Sequence, residues 1–237
     1  MAGLIYFAIG DVHGEADKLA RLHAAILDRI AFEGCEARIV HLGDYIDRGP
    51  NSRGVIERIM ALEKRFEADP RISIVSLRGN HEQMLLDAMA EETDDSGWLV
   101  QGLETLDSYA GRLVTQADGW RALILQEHLD WMARLPLMLR DPERHLVFVH
   151  AGIEPDAFPN EDIATYLWTR SDRFFDCAGW PDREELKDLL VVHGHTPMDA
   201  PELFPNRINI DTGACFGGYL TAVMLKEGEA PQFLGAA

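Results

Sequence analysis

Cysteine is scarce in this sequence, and the few cysteines present form no recognisable site. The 237-residue chain has three, Cys35, Cys177 and Cys215, and no two of them are spaced as C-x-x-C. An odd number without that spacing supports neither a disulfide framework nor a structural zinc site. We therefore expect a protein of a reducing compartment, the cytoplasm.

Long hydrophobic runs are absent as well. The apolar run at the N-terminus stops at Gly10 and has no basic segment before it, so it does not resemble a secretory signal. No stretch approaches the ~20 apolar residues that a membrane-spanning helix needs. We expect no membrane partner.

Positive charge is in short supply. Lysine and arginine number 22 against 40 aspartates and glutamates, which gives a formal net charge of −18. Binding to nucleic acid without sequence preference depends on cationic side chains that neutralise phosphates, so we expect no nucleic-acid partner. The acidic excess is typical of a solvated surface, and a cluster of metal-binding carboxylates would account for part of it.

Linkers, repeats and low-complexity tracts are also missing. With 47% apolar and 26% charged residues, the composition is that of an ordinary globular protein that can form a sizeable core. We expect one domain over residues 1–237, with an insertion within it.

Three strand–loop–helix units follow one another in the first part of the chain. Strands are predicted at residues 4–9, 38–42 and 72–77, and each is followed by a loop and by apolar residues at helical spacing. Consecutive units of this kind form a largely parallel sheet. Residues from about 91 to 136 carry aromatic and aliphatic side chains at helix-compatible intervals and predict a helical insertion.

Four short apolar runs follow the insertion. They lie at residues 146–149, 189–192, 208–210 and 219–225, and each has the length of a strand. Because no long helices separate them, we expect them to form a second, more antiparallel sheet.

Chemically reactive residues cluster where the predicted strands end. The first three loops read G-D-V-H-G (10–14), G-D-Y-I-D-R-G (43–49) and R-G-N-H-E (78–82), and two later ones read V-H-A-G (149–152) and H-G-H-T-P (193–197). Loops at the carboxyl ends of parallel strands meet at one edge of the sheet, where α/β folds bind ligands. We therefore expect these loops to converge.

The loops supply six candidate metal ligands. Asp and Asn are common turn formers, so each residue alone has an ordinary explanation, but five such loops in one chain favour a metal site. The mixture of carboxylate, amide and imidazole suits Mn²⁺, Fe or Zn²⁺, and two ions about 3.5–4 Å apart would use it fully. Asp44, after the middle strand, is the natural bridging ligand. The six are Asp11, His13, Asp44, Asn80, His150 and His195.

The motifs resemble those of the calcineurin-like metallophosphoesterases, and within them the phosphoprotein phosphatase family. G-D-x-H-G, G-D-x-x-D-R-G, G-N-H-E, H-A-G and G-H-T occur in that order between Gly10 and Thr196. The segments N-I-D-T-G-A-C-F-G-G-Y-L-T (209–221) and L-W-T-R (167–170) look like the bacterial branch of that family. The resemblance implies an α/β fold, a sandwich of two mixed β-sheets flanked by helices (α/β/β/α).

The resemblance also implies a hydrolase with two divalent metal ions, for which Mn²⁺ is the first choice and Fe or Zn²⁺ the alternatives. One ion would be held by Asp11, His13 and Asp44, and the other by Asp44, Asn80, His150 and His195. Two cations polarise a bridging water to hydroxide, which attacks phosphorus directly, and they neutralise charge on the phosphoryl oxygens. No covalent phosphoenzyme is required.

Four further residues take their roles from the resemblance. His81 would protonate the leaving alkoxide, and Asp47 would hold its imidazole and raise its basicity. Arg48 and, through the W-x-R element, Arg170 would grip the non-bridging phosphate oxygens in planar geometry. For Arg170 the alternative is an ordinary surface ion pair.

The substrate is less well defined than the reaction. We expect a Ser/Thr protein phosphatase that hydrolyses phosphomonoesters. A bacterial diadenosine tetraphosphate hydrolase is the first alternative, although the symmetric enzymes of that group typically carry G-H-W where this chain has G-H-T at residues 194–196. A non-catalytic scaffold on the same fold is the second, against which the intact ligand set with His81 and Asp47 argues. The S-A-P-N-Y-C element of eukaryotic protein phosphatases is absent, so we expect specificity to come from the surface around the metals, above all from the insertion.

Overall fold

A computed structural model of the chain describes residues 3–90, 97–114 and 119–237. The strands are β1 (Ile5–Ile9), β2 (Ala37–His41), β3 (Ile72–Ser76), β4 (Met138–Asp141), β5 (Leu146–Val149), β6 (Leu190–His193), β7 (Glu202–Leu203), β8 (Arg207–Asn209), β9 (Leu220–Leu225) and β10 (Gln232–Ala236). The α-helices are α1 (Ala16–Glu33), α2 (Ser52–Phe66), α3 (Asn80–Ala90), α4 (Leu99–Ala110), α5 (Gln126–Arg134), α6 (Ile163–Trp168) and α7 (Asp172–Phe175). Short 3₁₀ turns lie at Trp120–Leu123, Pro142–Arg144, Cys177–Gly179, Glu184–Leu186 and Ala214–Phe216.

The first sheet has the strand order β10-β9-β1-β2-β3. Its strands β1, β2 and β3 run parallel, as the strand–loop–helix pattern predicted. The expectation that residues 219–225 belong to the second sheet was wrong, because β9 pairs antiparallel with β1 and β10 pairs antiparallel with β9. All six residues of β9 are buried, which suits a strand that lies inside a sheet covered on both faces.

Alternating side chains of β1 connect the layers of the molecule. Ile5, Phe7 and Ile9 belong to the apolar cluster that also contains the buried faces of α1 and α2. Tyr6 and Ala8 point the other way, into the cluster between the two sheets. This period of two places helices on one side of the sheet and the second sheet on the other.

The second sheet has the order β4-β5-β6-β8-β7. It is more parallel than expected, since β5, β6 and β8 are parallel neighbours and only the edge strands β4 and β7 run antiparallel. The sequence did not indicate β4, β7 or β10, because they are short or carry polar, half-exposed residues. Side chains of α6 and α7 cover the outer face. The α/β/β/α sandwich of two mixed sheets is therefore confirmed.

The predicted insertion is helical where it is described. Helix α4 packs on α2, and α5 packs on α3. Buried Trp98, Trp120 and Trp131 join the apolar cluster on the helical side of the first sheet. Residues 91–96 and 115–118 of the insertion lie outside the described residues, and the division of the chain into one domain stays a prediction. Among the helices described, none has the length and apolar character to cross a membrane.

Candidate metal centre

The five loops predicted to converge supply residues to one buried site. All six predicted ligands are present in it or at its border, and none of them is more than 7% exposed. Two groups of ligand atoms stand out, each with its members within 4.8 Å of one another, and both include Asp44. The groups consist of His13, Asp44 and His81, and of Asp44, His150 and His195.

One half of the site is formed by Asn80, His150 and His195. Asn80 Oδ1 lies 2.8 Å from His150 Nε2 and 2.9 Å from His195 Nδ1. The two imidazole nitrogens are 3.2 Å apart, and His150 Nε2 is 3.4 Å from Asp44 Oδ1. Oxygen and nitrogen atoms therefore face one another across a small space that three separate loops enclose.

The other half of the site is formed by His13 and the second carboxylate oxygen of Asp44. His13 Nε2 lies 3.3 Å from Asp44 Oδ2. The other ring nitrogen, Nδ1, is 2.8 Å from the carbonyl oxygen of Ile46, and Nδ1 of His150 is 3.0 Å from that of Leu42. A backbone carbonyl accepts from an N–H, so in each neutral ring the proton is on Nδ1 and the unprotonated Nε2 can act as a ligand. Asp44 thus directs one oxygen to each half.

Asp11 lies at the border of the site. Its carboxylate accepts the backbone N–H of His195, at 3.2 and 3.1 Å to the two oxygens. A side chain at Gly194 would collide with it, since a Cβ there would lie 2.1 Å from Asp11 Oδ1. Burial, followed by the charges of Asp211 and Asp44, raises the pKa of Asp11 well above its usual range.

The donor set fits divalent cations. Asp11, Asp44 and Asp211 place three buried carboxylates close enough to disfavour one another's negative charge, and burial also raises the pKa of Asp211. Burial also opposes a charge on Asp44, but the nearby His150, His81 and His13 outweigh it and hold the pKa of Asp44 well below its usual range. Burial followed by the nearby His150 lowers the pKa of His195 to about 3, so this imidazole is neutral. Buried anions beside neutral imidazoles are the state in which these groups ligate metals.

Backbone strain is concentrated at this site. Among the described residues, seven that are not glycine have positive φ. Five of these seven belong to the predicted site, with φ from 43° to 69°. Such conformations cost free energy and persist where surrounding contacts enforce them. The five are His13, Asp44, Asp47, Arg48 and His195.

His81 and Asp47 form the predicted pair. His81 Nδ1 lies 2.7 Å from Asp47 Oδ2, and both side chains are buried. The His81 backbone N–H also donates to Asp44 Oδ1 at 3.0 Å, and its ring meets that of His13 edge to face. Burial opposes a charge on His81, but Asp44 and the bond to Asp47 outweigh it and raise the pKa of His81.

The two predicted phosphate-binding arginines border opposite halves of the site. Arg48 Nη1 lies 3.1 Å from His13 Nε2, and its guanidinium sits 5.6 Å from the ring centre of Phe216. Arg170 Nη2 donates to the backbone carbonyl of His195 at 3.1 Å. Arg170 takes no part in any carboxylate ion pair within the described part of the chain, so the structure does not support the surface ion pair considered for it.

Glu82 also supports the site, although it was not among the predicted site residues. Its carboxylate accepts the backbone N–H groups of Asp44, Tyr45 and Gly79 at 2.9, 2.7 and 2.9 Å. Burial and then the charge of Asp44 raise the pKa of Glu82 to about 7. The available signal was its place in G-N-H-E, directly after Asn80 and His81, but a carboxylate that simply begins a helix fits there equally well.

Comparison with known proteins agrees with this site. A sequence model of calcineurin-like phosphoesterases matches residues 6–225. The chain is 30% identical to an asymmetrical bis(5'-nucleosyl)-tetraphosphatase, PrpE, of Halalkalibacterium halodurans, over 92% of this chain and 89% of that protein. It is 29% identical to Serine/threonine-protein phosphatase 1 of Salmonella typhimurium, over 93% of this chain and 91% of that protein.

Solved structures share the fold. A cold-active protein-tyrosine phosphatase of a Shewanella species has a TM-score of 0.66 at 20% identity, covering 99% of this chain and 81% of that one. A metallophosphoesterase from Sphaerobacter thermophilus has a TM-score of 0.55 at 18% identity, covering 98% and 88%. From the sequence match, the motif loops and the buried ligand groups, we conclude that the chain belongs to the calcineurin-like phosphoesterase family, which depends on two metal ions, and is a metal-dependent phosphoric ester hydrolase.

Proposed function

We propose that this enzyme hydrolyses phosphomonoesters, and that its substrates are phosphoserine and phosphothreonine side chains of proteins. The observation that carries the proposal is the position of His81. Its Nδ1 is bound to Asp47, and its ring and backbone lie against His13 and Asp44, the residue common to both ligand groups. A proton donor beside a two-metal site is what the departure of a basic alkoxide requires.

In this proposal Asp11, His13 and Asp44 hold one divalent ion, and Asp44, Asn80, His150 and His195 hold the other. Mn²⁺ is the proposed metal, with Fe or Zn²⁺ as alternatives, because imidazole, carboxylate and amide ligands suit borderline ions. When bound, the two ions would activate a water molecule and neutralise charge on the phosphoryl oxygens. Asp44, with one oxygen towards each half, is the proposed bridge.

The remaining side chains have separate tasks. Asp47 accepts the Nδ1 proton of His81, so that Nε2 can present a proton to the leaving oxygen. Arg48 and Arg170 are exposed beside His13 and His195, and planar guanidinium groups there can bind non-bridging oxygens. The substrate phosphate would then lie between one arginine and the other.

The charges around the site support a compact phosphate. Lys18, a further cation near the site, is already engaged, because its Nζ donates to the carbonyl oxygens of Ala214 and Gly218 at 2.8 Å each. Glu15 lies 3.9 Å from the same Nζ. Arg48 and Arg170 suffice for one phosphoryl group, whereas a polyphosphate needs further cations. Similarity to a Ser/Thr protein phosphatase supports the same choice.

A dinucleoside polyphosphate hydrolase is the second candidate, and two exposed aromatic rings favour it. Phe216 is 67% exposed and lies over the guanidinium of Arg48. Trp168 is 45% exposed and meets the imidazole of His195 edge to face at 6.1 Å. Exposed rings beside both arginines could stack on two bases. Similarity to the bis(5'-nucleosyl)-tetraphosphatase points the same way.

A cytoplasmic location and the absence of membrane and nucleic-acid partners belong to the same proposal. All three cysteines are free thiols in the structure, which supports a reducing compartment. Fractionation of cells that produce the protein at its natural level tests the location.

A substrate panel tests the choice of substrate. Metal-stripped protein is loaded with Mn²⁺, and kcat/KM is measured on a phosphoserine peptide, a phosphothreonine peptide, diadenosine tetraphosphate and p-nitrophenyl phosphate. We expect both peptides to exceed the dinucleotide. A clear preference for the dinucleotide would replace the first proposal with the second.

A further inference from the structure

The insertion reaches the catalytic pair directly. Thr105 of α4 donates its hydroxyl to Asp47 Oδ1 at 2.6 Å, and Trp98, just before α4, donates its indole N–H to Asp47 Oδ2 at 2.9 Å. The same Oδ2 is 2.7 Å from His81 Nδ1. Asp47 is completely buried, so its carboxylate has three protein donors in place of water.

Thr105 also holds the backbone of Asp47. The Asp47 N–H donates to Thr105 Oγ1 at 2.9 Å and to Ser52 Oγ at 3.1 Å, and these two hydroxyls are 3.0 Å apart. Asp47 has a left-handed conformation with φ 69°, which a residue with a Cβ adopts only when contacts enforce it. One side chain of the insertion therefore fixes both the backbone and the carboxylate of Asp47.

The indole of Trp98 is fixed from two sides. A Cβ at Gly102 would lie 2.4 Å from its six-membered ring, so α4 has a glycine where the ring rests on the helix. The ring of Trp120 packs against it with centroids 5.0 Å apart. Held in this way, the indole N–H keeps one direction, towards Asp47.

We propose that Trp98 and Thr105 are positioning residues for the general acid, which act through Asp47 to aim the imidazole of His81. This inference rests on the proposed role of His81. A carboxylate rotates easily about its last side-chain bond, and a donor on each oxygen stops that rotation. A fixed carboxylate fixes the ring bound to it, and the aim of a proton donor governs its effect on rate.

The step in question is the departure of the leaving group. The oxygen of a water molecule, which gives up one proton to solvent, forms the new bond to phosphorus, and the leaving oxygen keeps the electron pair of the broken P–O bond. That oxygen takes the proton from Nε2 of His81. A basic leaving oxygen depends on this transfer, whereas an acidic one departs without much help, so poor aim of His81 harms only substrates with basic leaving groups.

Two aryl esters of similar shape isolate this effect. Phenyl phosphate has a basic leaving group and p-nitrophenyl phosphate an acidic one. In the Mn²⁺-loaded enzyme, we expect Thr105→Val and Trp98→Phe to lower kcat on phenyl phosphate by about 10-fold, the usual effect of losing a hydrogen bond to a charged group. On p-nitrophenyl phosphate we expect kcat to change by less than about 2-fold. KM should also change by less than about 2-fold on both esters, because the charge-assisted bonds of Thr105 and Trp98 to Asp47 do not touch the bound phosphate.

Matched variants separate positioning from a general loss of structure. Thr105→Ser keeps the hydroxyl and should restore the rate on phenyl phosphate. Trp131→Phe removes an indole N–H that donates to the carboxylate of Glu63 and not to Asp47, so it should not discriminate between the esters. Melting temperature and bound Mn²⁺ are measured for each variant, and an unchanged Mn²⁺ content is expected.

His81→Asn separates the inference from the proposed function. One outcome is that His81→Asn lowers kcat on phenyl phosphate alone, while Thr105→Val and Trp98→Phe lower kcat equally on both esters. In that case the positioning role is wrong and His81 is still the general acid. If His81→Asn itself loses equally on both esters, the assignment of the acid is wrong and the inference fails with it. Loss on phenyl phosphate alone in all three variants supports both.

Discussion

The carboxylate of Glu82 accepts the backbone N–H of Asp44 at 2.9 Å and so joins the first turn of α3 to the proposed bridging ligand. The same carboxylate accepts the N–H groups of Tyr45 and Gly79. Asp44 has φ 53°, a conformation that its own side chain disfavours. Glu82 thus stabilises the strained loop from which Asp44 directs one oxygen to each half of the site.

This relationship predicts the effect of Glu82→Gln. A glutamine amide places N–H groups where several backbone N–H donors converge, so at least one donor loses its acceptor. We expect Mn²⁺ affinity to fall about 10–100-fold, as for other residues that support metal ligands, with the fold retained. Isothermal titration calorimetry of the metal-stripped protein measures it. The control is Glu57→Gln, which removes only an exposed carboxylate paired with Arg53; equal affinities in the two variants would contradict the role of Glu82.

Asp44→Asn tests the bridge itself. Removing its charge weakens both halves of the site, because each half faces one of its oxygens. We expect the bound Mn²⁺, measured by mass spectrometry after dialysis, to fall below two ions per chain, and turnover to fall with it. The control is Asp156→Asn, which changes a surface ion pair with Arg173 and should leave both the Mn²⁺ content and the turnover unchanged. Two tightly bound ions and a near-normal rate in Asp44→Asn would contradict the assignment of Asp44 as the bridging ligand.

The sequence predicted the parts of the site that lie in loops after strands. Asp11, Asp44 and Asn80 could be placed together because parallel strands bring their carboxyl ends to one edge, whatever the details of packing. It could not place Trp98 and Thr105, because their bonds to Asp47 depend on how the insertion docks. The insertion was expected to determine specificity, and the structure shows that it contacts Asp47 through these two residues.

The alternative of a non-catalytic scaffold does not agree with membership of a hydrolase family.

Strand pairing shows the same limit. The pattern at residues 219–225 predicted a buried strand correctly but did not identify its partner, since burial on both faces suits either sheet. Strand β9 instead lies beside β1, and the Gly10 N–H, directly after β1, donates to the carbonyl oxygen of Thr221 in β9 at 3.0 Å. Contacts between distant segments decide such cases.

Gly102→Ala should reverse the usual effect of this substitution in a helix. Alanine normally stabilises a helix by roughly 1 kcal/mol relative to glycine. Here the new Cβ would lie 2.4 Å from the buried ring of Trp98, and overpacking of that kind costs about 1–3 kcal/mol. We expect a lower melting temperature by calorimetry. Gly97→Ala is the control, because no atom of the described residues lies within 4 Å of a Cβ there; a Gly102→Ala variant as stable as the wild type would show that the ring moves freely.

The buried pair of His23 and His41 predicts a loss of stability in mild acid. Their Nε2 atoms are 2.9 Å apart, and burial followed by the charge of Arg58 lowers the pKa of His23 from 6.5 to about 4. Burial, then His23, also lowers the pKa of His41 well below its usual value. The unfolded chain takes up protons near pH 6.5 and the folded one does not, so stability present above pH 6.5 is lost as the pH falls towards 4.

Urea unfolding of metal-stripped wild type and His23→Gln measures this effect. The advantage of the wild type should shrink as the pH falls from 7 to 5, by up to about 1.4 kcal/mol per pH unit, because one histidine that stays neutral is present in the wild type and absent from the variant. Carboxylates and metal ligands common to both proteins cancel in the difference. A difference that is constant with pH would mean that the pair is protonated as readily in the folded state as in the unfolded chain.

Phe216→Ala distinguishes the two proposed substrates. If a base stacks on the ring over Arg48, the substitution removes about 1–3 kcal/mol of binding for the dinucleotide, a loss of roughly 5- to 150-fold in kcat/KM. A phosphopeptide bound mainly through its phosphate should lose much less. Because we propose a protein phosphatase, we expect a fall of less than about 3-fold on phosphopeptides, since an exposed cation–π pair contributes little. Phe32→Ala is a close control, because Phe32 is 82% exposed and lies 5.9 Å from the guanidinium of Arg29. A large loss on diadenosine tetraphosphate alone, absent in Phe32→Ala, would show that the ring serves a nucleotide and would favour the second candidate.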